Sequence, residues 1–240
     1  MAPKPVVLCI LDGWGARDET GANAPALAKT PNFDAILHDC PNSSLITHGP
    51  DVGLPTGQMG NSEVGHTNIG AGRVVAMDLG QIDLAIEDGS FFKNAALTAF
   101  IDVMTLSGGV AHVMGVISDG GVHGHIEHVV AGLKALRDAG IPVVLHAITD
   151  GRDVAPDSRL GFMRDLVARL PQGVVIGTVT GRYFAMDRDN RWERVSQAYA
   201  AIIHGQADAK AVVAIAAVQQ SYDMNVQDEF IKATVINGYS

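Results

Sequence analysis

Residues 53–72 read GLPTGQMGNSEVGHTNIGAG, and the prediction of fold and function starts from this glycine-rich stretch. Ser62 follows directly after Gly-Asn, and glycine lets a backbone turn tightly and approach a ligand or ion closely. The pattern therefore favours a nucleophile presented at a tight turn. A flexible surface loop is the alternative, although the apolar residues Leu54, Val64 and Ile69 are unusual in a flexible linker. A Walker phosphate loop is excluded, because no Gly-Lys-Ser/Thr follows the glycines at the required spacing.

The composition narrows the functional class. The 240 residues are 47% hydrophobic and 18% charged, which is typical of a globular protein with one large domain or two smaller ones. A net charge of −9 argues against a nucleic-acid-binding surface. Cys9 and Cys40 form no Cys-x-x-Cys pattern, so we expect reduced thiols. The sequence contains neither a signal peptide nor a segment of transmembrane length, and we expect a cytoplasmic protein without membrane contact.

On the N-terminal side of the glycine-rich stretch, residues 6–11 (VVLCIL) predict a strand buried on both faces of a parallel sheet. This strand ends in Asp12-Gly13, at the carboxyl end of the strand where open α/β sheets bind ligands. A helix is predicted to begin at Pro31, with Thr30 as its N-cap. Residues 44–47 predict a short strand that leads into the glycine-rich stretch.

On the C-terminal side, a strand–helix alternation predicts a mainly parallel sheet with helices on its faces. Strands are predicted at residues 111–117, 143–148 and 174–179. Helices are predicted at residues 78–87, 94–106, 126–139, 157–170, 192–204 and 209–222. The helix at 126–139 has a clear apolar face and ends before Gly140.

Four predicted strands end in turn residues, namely Asp12-Gly13, Asp119-Gly120, Asp150-Gly151 and Gly181-Arg182. One Asp-Gly pair is ordinary turn chemistry. Four strand ends with this chemistry predict loops that converge on one crevice. Polar candidates lie in or just beyond them: His123, Arg152, Asp153, Arg182 and Arg188.

Three histidines follow the predicted strand 111–117, in the pattern His123-Gly-His125-x-x-His128. A His-x-His pair at a strand end is one way to hold a metal ion. However, His125 and His128 lie at the start of an amphipathic helix, where a solvated histidine is more common. We therefore assign only His123 to the site.

The arginines carry the strongest charge argument. Guanidinium groups bind phosphates and carboxylates in bidentate fashion, so several arginines on separate loops could clamp a small dianion. Surface ion pairs with neighbouring aspartates are the alternative for Arg191 and Arg194. That alternative is weaker for Arg182, which directly follows a buried strand. Asp12 and Ser62 have suitable chemistry for metal-assisted phosphoryl transfer, although their spacing alone does not pair them.

Six motifs, in the same order, resemble the cofactor-independent phosphoglycerate mutases of the alkaline phosphatase superfamily. They are LDGWG (11–15), GPDVGLPTGQMGNSEVGHTNIGAGRVV (49–75), SDGGVHGHIEH (118–128), TDGRDVAPDS (149–158), TGRYFAMDRDNRW (180–192) and DEFIKATVI (228–236). The resemblance covers essentially the whole chain. It implies interconversion of 3- and 2-phosphoglycerate in glycolysis and gluconeogenesis, through a phosphoserine and with two divalent ions. Manganese is the expected metal, with magnesium, cobalt or zinc as alternatives.

The resemblance also implies an architecture: a three-layer α/β/α fold with mainly parallel sheets. Residues 1–76 correspond to the first part of a metal-binding phosphatase domain. Residues 77–240 correspond to an inserted α/β transferase domain that binds the substrate and is incomplete at its C-terminus. We expect a monomer when the protein is complete.

The same resemblance implies roles for individual residues. Asp12 is a metal ligand, and Ser62 is both a metal ligand and the nucleophile. The residues implied to hold phosphoglycerate are His123, Arg152, Asp153, Arg182 and Arg188. Two features depart from the family pattern. Gly124 stands where the family usually has serine, and family members are about twice as long, with further metal ligands, two arginines and a lysine beyond residue 240. The 240-residue chain alone is therefore expected to be inactive.

Two other functional classes remain open. A metal-dependent phosphatase or a phosphopentomutase of the same superfamily would use Ser62 in the same way. Neither would need the arginine motifs at 152–153 and 182–188. A non-catalytic module that binds phosphorylated metabolites is the third possibility.

Overall fold

The computed structural model describes residues 4–55, 57–157 and 159–240. The chain divides into two units, Met1–Met77 and Asp78–Ser240. Within the described residues, no helix is long and apolar enough to cross a membrane.

The described residues of the first unit form three helices, α1 (Ala24–Leu27), α2 (Pro31–Asp39) and α3 (Ser62–Ala71), and one 3-10 turn at Gly49–Val52. Helix α2 begins at Pro31, as predicted. Thr30 occupies the N-cap position, but its hydroxyl donates to the Asp34 carboxylate (3.0 Å) and accepts no capping hydrogen bond from a backbone N–H. The sequence predicted that Ser62 is presented at a tight turn within residues 53–72. In the structure, Ser62 is the first residue of helix α3.

The two strands predicted in the first unit, at residues 6–11 and 44–47, are not formed among its described residues. A strand needs a neighbour that pairs with its backbone N–H and C=O groups. Neither segment forms a strand with another described segment, and the apolar run 6–11 is exposed. The prediction of a buried central strand was wrong for this structure: Val6 and Val7 are 93% and 87% exposed.

The second unit contains a five-stranded sheet of β1 (Ala111–Val116), β2 (Val143–Thr149), β3 (Val174–Gly181), β4 (Ala209–Ala211) and β5 (Thr234–Ile236). The strand order is β1-β2-β3-β5-β4. All neighbours are parallel except β3 and β5, which pair antiparallel through Thr178 and Val235. The predicted α/β class with a mainly parallel sheet is confirmed.

Seven helices accompany this sheet in the described residues: α4 (Asp78–Glu87), α5 (Ala95–Ser107), α6 (Ile126–Asp138), α7 (Arg159–Arg169), α8 (Arg182–Ala185), α9 (Trp192–His204) and α10 (Ala214–Asp223). The predicted helix at 209–222 was wrong in its first residues, because 209–211 pair with β5 as strand β4. The prediction for 157–170 includes Ser158, which lies outside the described residues.

Strand β5 has a different apolar cluster on each of its faces. Ile236 packs in the larger cluster, whose fully buried members include Leu133 of α6, Leu145 of β2 and Leu166 of α7. Val235 packs in a second cluster with Ala201 of α9 and Ala233. Because successive strand residues point to opposite faces, helices cover the sheet on both sides.

Candidate functional site

In the first unit, Asp12 and Ser62 are in direct contact although fifty positions separate them in the sequence. The Ser62 hydroxyl donates a hydrogen bond to Asp12 Oδ2 at 2.8 Å. Sequence spacing could not pair these residues, and the structure brings them together. A hydroxyl held by a carboxylate is a suitable starting point for nucleophilic chemistry.

Ser62 is the first residue of helix α3, and the preceding residues fix its position. The Asn61 side chain caps the helix by accepting a hydrogen bond from the Val64 backbone N–H at 3.0 Å. A Cβ at Gly60 would lie 1.8 Å from the Thr47 carbonyl oxygen, so only glycine fits there. At a helix N-terminus, unpaired N–H groups and the helix dipole favour negative charge. The position therefore favours an ionised seryl oxygen or a phosphate attached to it.

His66 lies one helical turn after Ser62 and is not the acceptor of its proton in this arrangement. Its Nδ1 is 2.7 Å from the Ser62 carbonyl oxygen and 3.2 Å from the Ser62 hydroxyl. A carbonyl oxygen only accepts, so Nδ1 must carry the hydrogen in the shorter contact. Asp12 is consequently the proton acceptor in contact with Ser62, and His66 ties its own ring to the first turn of α3.

The described residues supply only part of a metal site. Asp12 and Ser62 present two oxygens side by side, which suits a hard or borderline divalent ion. No group of three or more His, Cys, Asp or Glu residues placed to hold a metal ion occurs within residues 4–55, 57–157 and 159–240. Structural and catalytic ions generally need at least three protein ligands. The two residues therefore fit a divalent ion as partial ligands only.

In the second unit, the loops after β1, β2 and β3 bring five polar residues together, which we call the strand-end cluster: Ser118, His123, Asp150, Asp153 and Arg182. The three strands are parallel, so their carboxyl ends share one edge of the sheet. Three of the four predicted strand ends meet here, whereas the fourth, Asp12-Gly13, follows a segment that forms no strand among the described residues. Residue spacing alone did not reveal the contacts within the cluster.

Arg182 is buried at the centre of the cluster, as the first residue of α8 directly after β3. Its Nη1 donates to Asp150 Oδ1 and to Asp153 Oδ2, both at 2.7 Å. Burial lowers the pKa of the Arg182 guanidinium, but the bonds to Asp153 and Asp150 outweigh it and raise the pKa overall. The sequence analysis considered an ion pair with aspartate the weaker interpretation for Arg182. In the structure Arg182 does pair with two aspartates, in a buried position.

His123 lies at the exposed rim of the cluster. Its Nδ1 is 2.6 Å from Asp153 Oδ2 and 3.0 Å from Arg182 Nη2. A carboxylate only accepts and a guanidinium only donates, so a single ring nitrogen cannot satisfy both. The shorter contact assigns the hydrogen to Nδ1, which donates to Asp153. The other ring nitrogen, Nε2, then keeps its lone pair when the ring is neutral.

Asp150 is the buried carboxylate of the cluster, and sequence analysis did not name it as a site residue. Its Oδ2 accepts from the Ser118 hydroxyl at 2.6 Å, and its Oδ1 accepts from Arg182. Burial raises the pKa of Asp150, but these hydrogen bonds, together with those from two loop amides, outweigh it and hold the pKa below its ordinary value. The only sequence signal was its place in a strand-end Asp-Gly pair.

Arg152 and Arg188 differ from Arg182 in their surroundings. The Arg152 side chain is 60% exposed, and its Nη1 lies 3.6 Å from Glu229 Oε1. Arg188 is exposed in the turn between α8 and α9. No ion pair or hydrogen bond joins Arg188 to the strand-end cluster in the described part of the chain. Both arginines therefore hold charge that a soluble anion can reach.

The other two histidines of the motif have structural contacts. His125 is the N-cap of α6, where its Nδ1 accepts from the Glu127 backbone N–H at 3.2 Å. His128 Nε2 is 2.6 Å from Asp83 Oδ1, which links α6 to α4. Neither residue contacts the strand-end cluster through these bonds.

Comparison with known proteins identifies the group to which the chain is similar. The model of a family described as BPG-independent PGAM N-terminus matches residues 82–240. A 2,3-bisphosphoglycerate-independent phosphoglycerate mutase of Ruegeria sp. (strain TM1040) is 66% identical over 237 residues, covering 99% of this chain. The corresponding protein of Agrobacterium fabrum is 65% identical over 237 residues, with the same coverage.

A solved structure is also similar. It is a phosphoglycerate mutase of Leishmania mexicana, determined at low cobalt concentration, with a TM-score of 0.71 and 32% sequence identity. The similarity covers 88% of this chain and 40% of that one. The chain likewise spans 47% of the length of the Ruegeria and Agrobacterium relatives, or about half.

Proposed function

Because the chain belongs to the BPG-independent phosphoglycerate mutase family, we propose that the protein containing it interconverts 3-phosphoglycerate and 2-phosphoglycerate through a phosphoserine at Ser62. The observation that carries the proposal is the 2.8 Å hydrogen bond between Ser62 and Asp12 at the first turn of α3. The nucleophilic oxygen of Ser62 thus lies at the N-terminus of a helix and in contact with a proton acceptor, Asp12.

In the proposed reaction, the Ser62 hydroxyl attacks the phosphorus of phosphoglycerate. The bond from the seryl oxygen to phosphorus forms as the bond from phosphorus to the glycerate oxygen breaks. Asp12 accepts the seryl proton, and the released glycerate oxygen takes up a proton from water. The neighbouring glycerate hydroxyl then attacks the phosphoserine phosphorus and gives its proton to water. The bond from phosphorus to the seryl oxygen breaks, and Asp12 returns its proton to Ser62. The N-terminal N–H groups of α3 stabilise charge on the transferred group.

Asp12 and Ser62 are proposed as two of the ligands of a site for two divalent ions, with manganese preferred. A bound ion would supply Lewis-acid stabilisation of the seryl oxygen and the phosphoryl group. Because the relatives are about twice as long as this chain, we propose that the other ligands belong to parts of the protein outside it.

The second unit is proposed to bind the substrate, as the inserted transferase domain, and the first to be part of a phosphatase-like domain. Arg152 and Arg188 are exposed and suited to bidentate contact with the phosphate or the carboxylate. Arg182 already faces two carboxylates, so its proposed role is to hold Asp153 and His123 in position for the glycerate hydroxyls.

Replacing the nucleophile tests this function. In the full-length protein, Ser62→Ala should abolish interconversion, while titration still shows binding of 3-phosphoglycerate. The matched control is Ser44→Ala, which removes another exposed serine hydroxyl of the first unit. Substantial turnover by the Ser62→Ala enzyme would refute the assignment. Phosphate release without mutase activity in the unaltered enzyme would favour a phosphatase instead.

A further inference from the structure

We propose that Asp150, held by Ser118, is a positioning residue that sets the geometry of both Arg182 and the loop 150–153. The tests below use phosphoglycerate as the substrate, and that choice rests on the proposed function. The structural part, that one buried carboxylate organises the loop, is independent of it.

The hydrogen bonds of Asp150 reach three of the other four residues of the strand-end cluster, namely Ser118, Asp153 and Arg182. Its two oxygens accept four hydrogen bonds, from the Ser118 hydroxyl (2.6 Å), Arg182 Nη1 (2.7 Å) and the backbone N–H groups of Arg152 and Asp153 (both 3.1 Å). Ser118 follows β1, Asp150 follows β2 and Arg182 follows β3. One side chain therefore connects the ends of three strands.

The two backbone bonds determine how the loop turns. An aspartate that accepts from the amides two and three residues ahead folds its own backbone into a tight turn. Gly151 within this turn has φ of 79°, and its position leaves no room for a Cβ, which would lie 2.6 Å from the Glu229 backbone nitrogen. The turn directs Arg152 toward solvent and returns Asp153 to Arg182 and His123.

Charge and burial explain why removing the Asp150 carboxylate should be energetically costly. Asp150 is 1% exposed and Arg182 is 7% exposed. A buried ion that loses its partner keeps the full cost of being out of water. Without Asp150, the Arg182 charge would depend on Asp153 alone. Asp153 would then be drawn from the position in which it also accepts from His123.

A double-mutant cycle in the full-length protein tests whether Asp150 acts through Arg182. Asp150→Asn keeps the shape of the side chain and removes its charge, and it should weaken the binding of 3-phosphoglycerate about tenfold. Arg182→Lys should have an effect of similar size. If both act through one network, the double variant should lose little more than either single variant.

Arg188→Lys provides the contrasting arm, because no contact joins Arg188 to Asp150 in the described residues. Its effect should multiply with that of Asp150→Asn, to a loss of about a hundredfold. If Asp150→Asn acted only by disturbing packing or by lowering global stability, its effect on affinity would combine in the same way with Arg182→Lys and with Arg188→Lys. Ser118→Ala should reproduce part of the Asp150→Asn effect, whereas Ser221→Ala should leave the affinity unchanged. Ser221 is also a buried serine, and its hydroxyl donates within α10 to the Ala217 carbonyl oxygen at 3.1 Å.

Amide hydrogen exchange supplies a readout that needs no substrate. The Arg152 and Asp153 N–H groups should exchange at least about tenfold faster in Asp150→Asn than in the unaltered protein, because charge-assisted hydrogen bonds are roughly twice as strong as neutral ones. The same amides should be unaffected by Ser221→Ala.

The outcomes separate the inference from the proposed function. If the unaltered protein does not bind 3-phosphoglycerate, the proposed function fails and the exchange rates alone decide the role of Asp150. Unchanged exchange at Arg152 and Asp153 would overturn the inference. Unchanged affinity in Asp150→Asn, or full additivity with Arg182→Lys, would overturn it when the substrate does bind.

Discussion

His146 is a fully buried histidine on β2, and its neighbours keep it neutral. Its Nε2 is 2.9 Å from His112 Nδ1 and its Nδ1 is 2.9 Å from the Thr178 hydroxyl. Burial, and secondarily the nearby His112, lowers the pKa of His146 from 6.5 to about 4. The rings of His112 and His146 are nearly parallel, with centroids 5.3 Å apart, and the Tyr239 ring packs edge-on against His146. The folded second unit therefore resists protonation at this site.

This shift predicts how stability depends on pH. In the unfolded chain His146 binds a proton below pH 6.5, whereas in the folded chain it stays neutral down to about pH 4. The unfolded state binds more protons in this window, so the free energy of unfolding should fall by roughly 3 kcal/mol as the pH is lowered through it. Denaturant titrations at several pH values measure the loss. His146→Gln should flatten the dependence, and the exposed-histidine variant His204→Gln should not. An equal slope in all three proteins would contradict the assignment.

The junction of β3 and α8 is the element that delivers Arg182 to the cluster. Gly181 ends the strand, and its backbone N–H donates to the Ile231 carbonyl oxygen at 2.7 Å. A Cβ at this position would lie 2.3 Å from the Glu229 carbonyl oxygen and 2.7 Å from the Ile231 nitrogen. Both obstacles are backbone atoms, which do not move aside as a flexible side chain would.

A pair of glycine substitutions tests this close packing. Gly181→Ala should lower the free energy of unfolding of the second unit by about 1–3 kcal/mol, because overpacking forces the backbone to shift. Gly132→Ala is the control: Gly132 lies inside helix α6 and no heavy atom lies within 4 Å of the added Cβ. That control should stabilise the protein by about 1 kcal/mol. Denaturant titration measures both, and equal effects of the two substitutions would refute the account of the junction.

The elements differ in how far the sequence predicts them. The apolar runs of β1, β2 and β3 and the amphipathic face of α6 carry periodic patterns, and these elements were predicted to within a few residues. Strands β4 and β5 have only three residues each, too few to show a period. The sequence analysis missed helix α3 because glycines interrupt it, although Asn61 is a favoured N-cap residue and Glu63 is an acidic residue in the first turn. The run 6–11 shows the limit of prediction from sequence patterns, because a pattern indicates that a segment favours strand structure but does not identify the segment with which it pairs.

The sites show the same limit at the level of contacts. The strand-end motifs predicted that His123, Asp153 and Arg182 share one edge of the sheet, and the structure places them there. Which groups neutralise Arg182 could not be predicted, because Asp150 lies thirty-two positions away and its Asp-Gly pair is common turn chemistry. The partnership of Asp12 with Ser62 likewise depends on tertiary structure.

At the scale of the whole molecule, the two units differ in how many apolar residues each of them buries. Both clusters of buried apolar residues lie in the second unit, whereas Leu54 and Val64 are the only buried apolar residues among the described residues of the first. We predict that the isolated 240-residue chain has neither mutase nor phosphatase activity, even with excess manganese, because its described residues provide too few metal ligands. Assay of the purified chain checks this, with a full-length relative as the positive control. Robust turnover would show that the chain is self-sufficient.

The same difference should appear in limited proteolysis, where residues before Met77 are cleaved first and the second unit persists. Cleavage at equal rates in both units would contradict the difference that we infer from burial.

The most direct test of the account is to trap the phosphorylated enzyme. Full-length protein mixed with 3-phosphoglycerate is quenched rapidly in acid, digested, and analysed by mass spectrometry for phosphate on the peptide that contains Ser62. We predict phosphate on Ser62, absent from the Ser62→Ala protein and unaffected by Ser44→Ala. Efficient interconversion with no phosphate on Ser62, or with phosphate on a different residue, would contradict it.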